Sequence, residues 1–182
     1  MTQYIAILRG INVSGKNIIK MDELKRLFLS MGYRDVQTYI QSGNVVFGAE
    51  EGDTSQLETR IMKGIAEGFG MEVPVIVVSA SGLRQIAAGN TYLNQEPVEI
   101  EKLYVTFLAR TPDGVLSDSL ALPSGCTDHF ELAQHCIYLK VLGGYGKTKL
   151  NNNYFEKKLN VKATTRNWKT VLKLVEMAKD TE

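Results

Sequence analysis

Tyr4-Ile5-Ala6-Ile7-Leu8-Arg9, near the head of the chain, returns as Tyr104-Val105-Thr106-Phe107-Leu108-Ala109-Arg110, with one residue inserted before the arginine. Both are apolar runs of strand length, rich in branched and aromatic residues, and each is followed by a polar loop. Self-similarity at a fixed place in a longer pattern marks a repeated unit, so the fold is read outward from this pair.

After the first run, Met21 to Met31 carries apolar residues at Leu24, Leu27, Phe28 and Met31, the stripe of an amphipathic helix. Val36 to Gln41 and Val45 to Gly48 are strand-like and separated by Ser42-Gly43-Asn44, whose glycine and asparagine suit a tight hairpin. Ser55 with Glu58 has capping-box spacing, and Leu57, Ile61, Ile65 and Phe69 recur every four residues, which predicts a helix over 55–69. Val73 to Ser79 is a strand of branched residues. The order β-α-β-β-α-β is the ferredoxin-like arrangement and fills residues 1–80. A short helix from Ser81 to Ala88 and a polar stretch, Asn90 to Glu101, form a connector over 81–101.

The second half, 102–182, repeats the order. Lys102 to Arg110 is its first strand, Pro112 to Leu122 holds its first helix, and Phe130 to Ala133 with Cys136 to Leu142 form its hairpin. Asn153 with Glu156 is read as the cap of a helix running to Leu159, and Val161 to Thr164 as a short fourth strand. A last helix, Trp168 to Ala178, is striped at Trp168, Val171, Leu172 and Val175. The expected class is α+β: a tandem duplication of two ferredoxin-like (alpha-beta plait) halves with an additional C-terminal helix, packed as one compact unit.

Composition bounds the function. The chain has 182 residues, 44% of them hydrophobic, enough for a buried interior. Its only cysteines, Cys126 and Cys136, are too few to staple such a length and fit a reducing compartment. Met1-Thr2-Gln3 carries no positive charge, the apolar run after it stops at Arg9, and no other apolar run approaches the roughly 20 residues needed to span a bilayer. A cytoplasmic protein without membrane partners is expected. The net charge of +1 hides an asymmetry: Lys140 to Lys173 holds nine Lys or Arg and one acid, Glu156, for +8, which leaves −7 for the rest.

Topology places loops together. In β-α-β-β-α-β the first two strands are parallel, so the Arg9 to Lys16 loop and the Gln41 to Asn44 turn should meet at one edge of the sheet. Gly143-Gly144-Tyr145-Gly146-Lys147-Thr148-Lys149 lies between a strand and a helix, where glycine-rich loops offer backbone N–H groups to phosphate. It is no P-loop, since the pattern requires glycine where Val141 stands. The same residues serve an anion-contacting loop or an ordinary glycine-rich turn. Arg166 precedes a helix, where an anion would meet both its guanidinium and free N–H groups; alternatively Thr165 or Asn167 caps the helix and Arg166 faces water. Lys157, Lys158, Lys162, Lys169 and Lys173, with Tyr145, Tyr154, Phe155 and Trp168 among them, fit a polyanion surface or a solvated face, with Phe155 and Trp168 expected in the core. Cys126, His129, His135 and Cys136 do not make a zinc site, because adjacent His135 and Cys136 point to opposite sides of a strand. Ser42 lacks the strand-to-helix setting of a nucleophile elbow, and Asp22 and Glu23 sit at a helix start, where the dipole accounts for them.

On Leu8-Arg9-Gly10-Ile11-Asn12-Val13, Tyr39-Ile40-Gln41-Ser42-Gly43-Asn44-Val45-Val46-Phe47, Tyr145-Gly146-Lys147-Thr148-Lys149-Leu150 and Ala163-Thr164-Thr165-Arg166-Asn167-Trp168, the chain resembles the bacterial family termed domain of unknown function 1697. The resemblance spans the chain and departs from the family pattern at Ser14-Gly15, where a Gly-Gly pair is usual. It implies a bacterial cytoplasmic protein of alpha-beta plait architecture, and no reaction.

The residues point to a nucleic-acid or nucleotide-phosphate binder. Arg9, Lys16, Lys147, Lys149 and Arg166 would contact phosphate, while Asn12, Gln41, Ser42, Asn44 and Asn167 would meet the ligand through polar groups. No cofactor or metal is called for, and no catalytic residue or oligomeric state is read. The alternatives are an enzyme acting on a small phosphorylated or nucleotide substrate, and an assembly protein whose basic segment docks on the acidic remainder of another copy.

Overall fold

The computed structural model describes residues 1–50 and 52–178. The chain forms two compact units, one of Met1–Gln85 with Lys173–Glu182 and one of Ile86–Leu172.

In unit 1, β1 (Thr2–Leu8), α1 (Met21–Ser30), β2 (Arg34–Tyr39), β3 (Asn44–Ala49), α2 (Thr54–Phe69) and β4 (Val75–Ser79) precede α3 (Ala80–Ala88), in which the chain leaves the unit. The strands lie in the order β2-β3-β1-β4, every neighbour antiparallel. Alternate residues of β1, Tyr4, Ala6 and Leu8, join Val45, Phe47, Val75 and Val77 in a core with Leu24 and Phe28 of α1 and Leu57, Ile61 and Ile65 of α2. Ile5, Ile7, Val46 and Ile76 occupy the opposite sheet face and are also buried. Burial on both faces explains why β1 reads as a continuous apolar run instead of an alternating one.

Unit 2 contains β5 (Leu103–Leu108), α4 (Gly114–Asp118), β6 (His129–Leu132), β7 (Cys136–Lys140), α5 (Asn152–Leu159) and β8 (Ala163–Asn167), followed by α6 (Trp168–Met177). Its strand order is β6-β7-β5-β8, again antiparallel throughout. Leu108, Ile137, Leu139, Leu150, Phe155, Leu159 and Ala163 form its core, and Trp168 is buried as expected. The α+β class read from the sequence holds, with two four-stranded antiparallel sheets.

Several expected boundaries move, each for a local reason. The cap of α2 is Asp53, whose carboxylate accepts the Ser55 N–H at 2.9 Å, so Ser55 lies inside the helix and Glu58 is released for another role. Asn151, not Asn153, caps α5 by accepting from the Tyr154 N–H. Between Pro112 and Leu122 only Gly114–Asp118 is helical, in keeping with the serine, aspartate and glycine content of the segment. The last strand starts later than Val161, because left-handed Asn160 first turns the chain (φ 52°). Thr164 and Thr165 then pair with Phe107 and Thr106, so Arg166 is a strand residue opposite Val105.

Candidate functional site

Six of the residues singled out in the sequence lie in unit 1, at the edge of the sheet where β1 ends. Asn12 holds the edge together: its Nδ2 donates to the Ile19 carbonyl at 2.9 Å and the Gln41 carbonyl at 2.8 Å, and its Oδ1 accepts the Ile19 N–H at 2.9 Å. The Arg9 loop and the Gln41 to Asn44 turn are therefore neighbours, as the topology required. Asn44 is fully buried and donates to the Tyr39 carbonyl and Ser42 Oγ. The Leu8 N–H reaches the Gly43 carbonyl at 2.8 Å, closing the turn onto β1. These asparagines use their amides to shape the edge, which leaves Lys16 and Gln41 exposed, and Arg9 and Ser42 half-buried.

The backbone of this edge is unusual. Asn12, Ser14, Asn17 and Ile40 all have positive φ, between 48° and 53°, alongside Gly10, Gly15 and Gly43. Asparagine tolerates that region, whereas β-branched Ile40 does not adopt it without cost. Val13, Ile18 and Ile40 are also exposed here, at 57%, 57% and 46%.

The remaining four residues lie in unit 2. The loop after β7 wraps a residue that the sequence reading did not single out, Asp128. Its carboxylate is buried, accepts the Leu142 N–H at 2.8 Å and the Thr148 hydroxyl at 2.5 Å, and anchors both ends of the Gly143 to Lys149 segment. No spacing in the sequence ties Asp128 to a loop so far along the chain. Gly143, Gly144, Lys147 and Lys149 line a small cleft of about 140 Å³ beside Asp128, and Lys149 Nζ donates to the Ser124 carbonyl at 2.6 Å.

Tyr145 joins this loop to the end of β8. Its ring stacks on Tyr104, centroids 5.1 Å apart, and its phenol acts electrostatically on Arg166. Burial pulls the Arg166 guanidinium down to about 10, with the Tyr145 phenol opposing, so it stays cationic at pH 7. Asn167 accepts the Thr170 N–H at 2.8 Å and so caps α6, the bland alternative for that residue. Arg166 and the glycine loop thus share one end of the unit 2 sheet.

Burial pushes the Cys136 thiol up to about 11, so it is protonated at neutral pH. Among the described residues no three His, Cys, Asp or Glu side chains come together to hold a metal, and no helix is long and apolar enough to cross a membrane. A cleft of about 430 Å³ in unit 2, beside Tyr92, His129, Phe130 and Lys140, has its lysine paired with Glu99.

Two antiparallel α+β units, each with polar, glycine-containing loops at the ends of its sheet, define the kind of protein this is. The chain belongs to the family described as "Protein of unknown function (DUF1697)", whose model matches residues 1–138. Among solved structures it is similar to the conserved bacterial protein SP0830 from Streptococcus pneumoniae, with 23% identity over 98% of this chain and 99% of that one and a TM-score of 0.67. That similarity is one of fold. No curated protein matches the chain.

Proposed function

We propose that the protein binds nucleic acid or nucleotide phosphate through the basic segment of unit 2. The observation that carries this reading is the unequal fate of its lysines. Lys140 and Lys169 are paired with Glu99 and Glu101 at 3.6 and 3.3 Å. Lys147, Lys157, Lys158 and Lys162 are exposed and meet no acid among the described residues. A polyanion would neutralise such a group and release its own counterions, which is favourable at low salt. Lys147 and Lys149 would take phosphate at the glycine loop, with Arg166 and Asn167 at the end of β8. In unit 1, Arg9, Lys16, Gln41 and Ser42 are the candidate contacts, shaped by Asn12 and Asn44.

The shallow cleft at the loop, about 140 Å³, favours a surface binder over an enzyme, since enclosed small-molecule sites run from roughly 300 Å³ upward. Anisotropy of a labelled single-stranded oligonucleotide, titrated across salt concentrations, tests the proposal. The double variant Lys157→Glu, Lys158→Glu is expected to bind at least about ten-fold more weakly, with a salt slope reduced by about 1.4 for the single-stranded probe. Absence of binding at low salt, or an unaltered slope, refutes it.

We also read the two units as duplicated ferredoxin-like halves, with α6 as the additional helix. In support, the Leu8 and Leu108 N–H groups reach the hairpin carbonyls of Gly43 and His135 at 2.8 and 3.0 Å. The next residues, Arg9 and Ala109, reach the carbonyls of Pro74 and Lys162 just before the fourth strand, at 2.9 and 3.0 Å. A cytoplasmic setting accords with Cys126 and Cys136 being free thiols.

A further inference from the structure

Tyr33 packs its ring against Phe28 and Phe47, with centroids 5.7 and 4.6 Å away, and is only 4% exposed, yet its hydroxyl has no hydrogen-bond partner. Buried tyrosine hydroxyls nearly always find a partner, because an unmet one forfeits its hydration for nothing. Tyr33 lines a cleft of about 600 Å³ in unit 1, beside the start of β1 and the end of β3. That volume lies in the range of small-molecule sites, roughly 300 to 1,000 Å³.

The cleft's other walls name a chemistry. Met31, Ala49 and Leu57 offer sulfur and hydrocarbon surface, suited to an apolar body of variable shape. Arg34 and Arg60 line it as well, both exposed and neither paired with an acid among the described residues. The Arg60 guanidinium lies 5.3 Å from the centroid of the Tyr33 ring, and its Nη2 donates to the Met31 carbonyl at 2.6 Å. Guanidinium forks match the two oxygens of a carboxylate. Glu50, at the same cleft, works against a ligand of high negative charge.

We infer that this cleft binds a small organic carboxylate, its head group held by Arg34 and Arg60 and accepting from the Tyr33 hydroxyl, its apolar body on Met31 and Leu57. The Arg60 guanidinium lies over the Tyr33 ring at the cleft, and binding requires the buried phenol to become accessible to the ligand. The site is independent of the polyanion surface of unit 2.

The test is titration of the whole protein with 4-phenylbutyrate, followed by amide chemical shifts. Saturable shifts are expected at residues 31–34 and 48–50, with acetate and the uncharged 4-phenylbutanol each binding at least about ten-fold more weakly. Tyr33→Phe is expected to keep or raise the thermal midpoint while weakening binding about two- to ten-fold, the worth of one hydrogen bond. Arg34→Glu, on an exposed side chain, is expected to abolish saturation with the spectrum otherwise preserved. Absence of saturable shifts, equal binding of the alcohol, or unchanged affinity in either folded variant overturns the inference. Loss of oligonucleotide binding in Lys157→Glu, Lys158→Glu leaves these shifts unaltered, so the two proposals fail separately.

Discussion

Glu58 Oε1 accepts the backbone N–H of Val77 at 2.8 Å, tying α2 to the outer edge of β4. The second unit repeats the bond: Glu156 Oε1 accepts the Ala163 N–H at 3.0 Å, and each glutamate is the fifth residue of its helix. Both strands lie at a sheet edge, where open N–H groups would otherwise offer a template to another strand. A helix carboxylate closes that opening in both units, on the strand residue opposite Ala6 in one and opposite Leu108 in the other.

The burial of Glu58, working against this bond, makes stability depend on pH in a direction unusual for a carboxylate. Burial pushes the Glu58 carboxyl up to about 7 from 4.5, the Val77 N–H opposing and the Asp53 charge adding to the rise. Because the folded-state value is the higher one, the group's contribution is full below 4.5 and is lost as pH rises through 7. Glu58→Gln keeps an acceptor for Val77 without a charge to bury. Urea unfolding of the two proteins is expected to agree near pH 5, with the variant more stable near pH 8 by about 1 to 2 kcal/mol after discounting for solvent screening. Parallel pH profiles would show that Glu58 titrates normally.

Gly43 is where the hairpin turn touches the loop beneath it. A Cβ there would sit 2.7 Å from Ile11 Cδ1 and 2.9 Å from Leu8 Cβ, and the residue's φ is +85°. Leu8 Cβ is fixed by the β1 backbone and cannot give way as a flexible side-chain end would. Gly43→Ala therefore combines a left-handed backbone penalty with overpacking and is expected to cost about 2 to 4 kcal/mol. Chemical denaturation measures it, and a loss under about 1 kcal/mol would mean the turn shifts freely.

Much of this architecture is legible in the sequence, because its signals are local. β1 and β5 are recognisable as apolar runs since both their faces are buried, and Leu57, Ile61 and Ile65 mark α2 by periodicity alone. Even the approach of the Arg9 loop to the Gln41 turn follows from strand direction, and the Asn12 to Gln41 bond realises it. Caps are harder: Asp53, Thr54 and Ser55 are all capping residues, and only backbone angles decide among them. The sites hide more. Asn44 is read from its turn as a ligand group, yet the turn buries it completely. The basic run is read as a block, yet Glu99 and Glu101 reach from the connector to pair with Lys140 and Lys169. Tyr33 carries no motif at all; its orphan hydroxyl exists only once Phe28 and Phe47 close around it.

Asp128 separates charge from shape at the glycine loop. Its carboxylate brings a negative charge to a cleft proposed to take phosphate, so on charge alone Asp128→Ala should strengthen oligonucleotide binding. Its hydrogen bonds argue the reverse. Removing it strands the Leu142 N–H and the buried Thr148 hydroxyl, which position Lys147 and Lys149 from either side. Leaving the buried Thr148 hydroxyl without its acceptor costs about 1 to 3 kcal/mol, and losing the Leu142 bond loosens the loop. The expected outcome is a variant that is folded but less stable, and that binds the oligonucleotide more weakly at every salt concentration with its salt slope unchanged, because no phosphate contact has been deleted. Tighter binding in Asp128→Ala would instead assign the loop a merely electrostatic part, with its conformation irrelevant to the ligand.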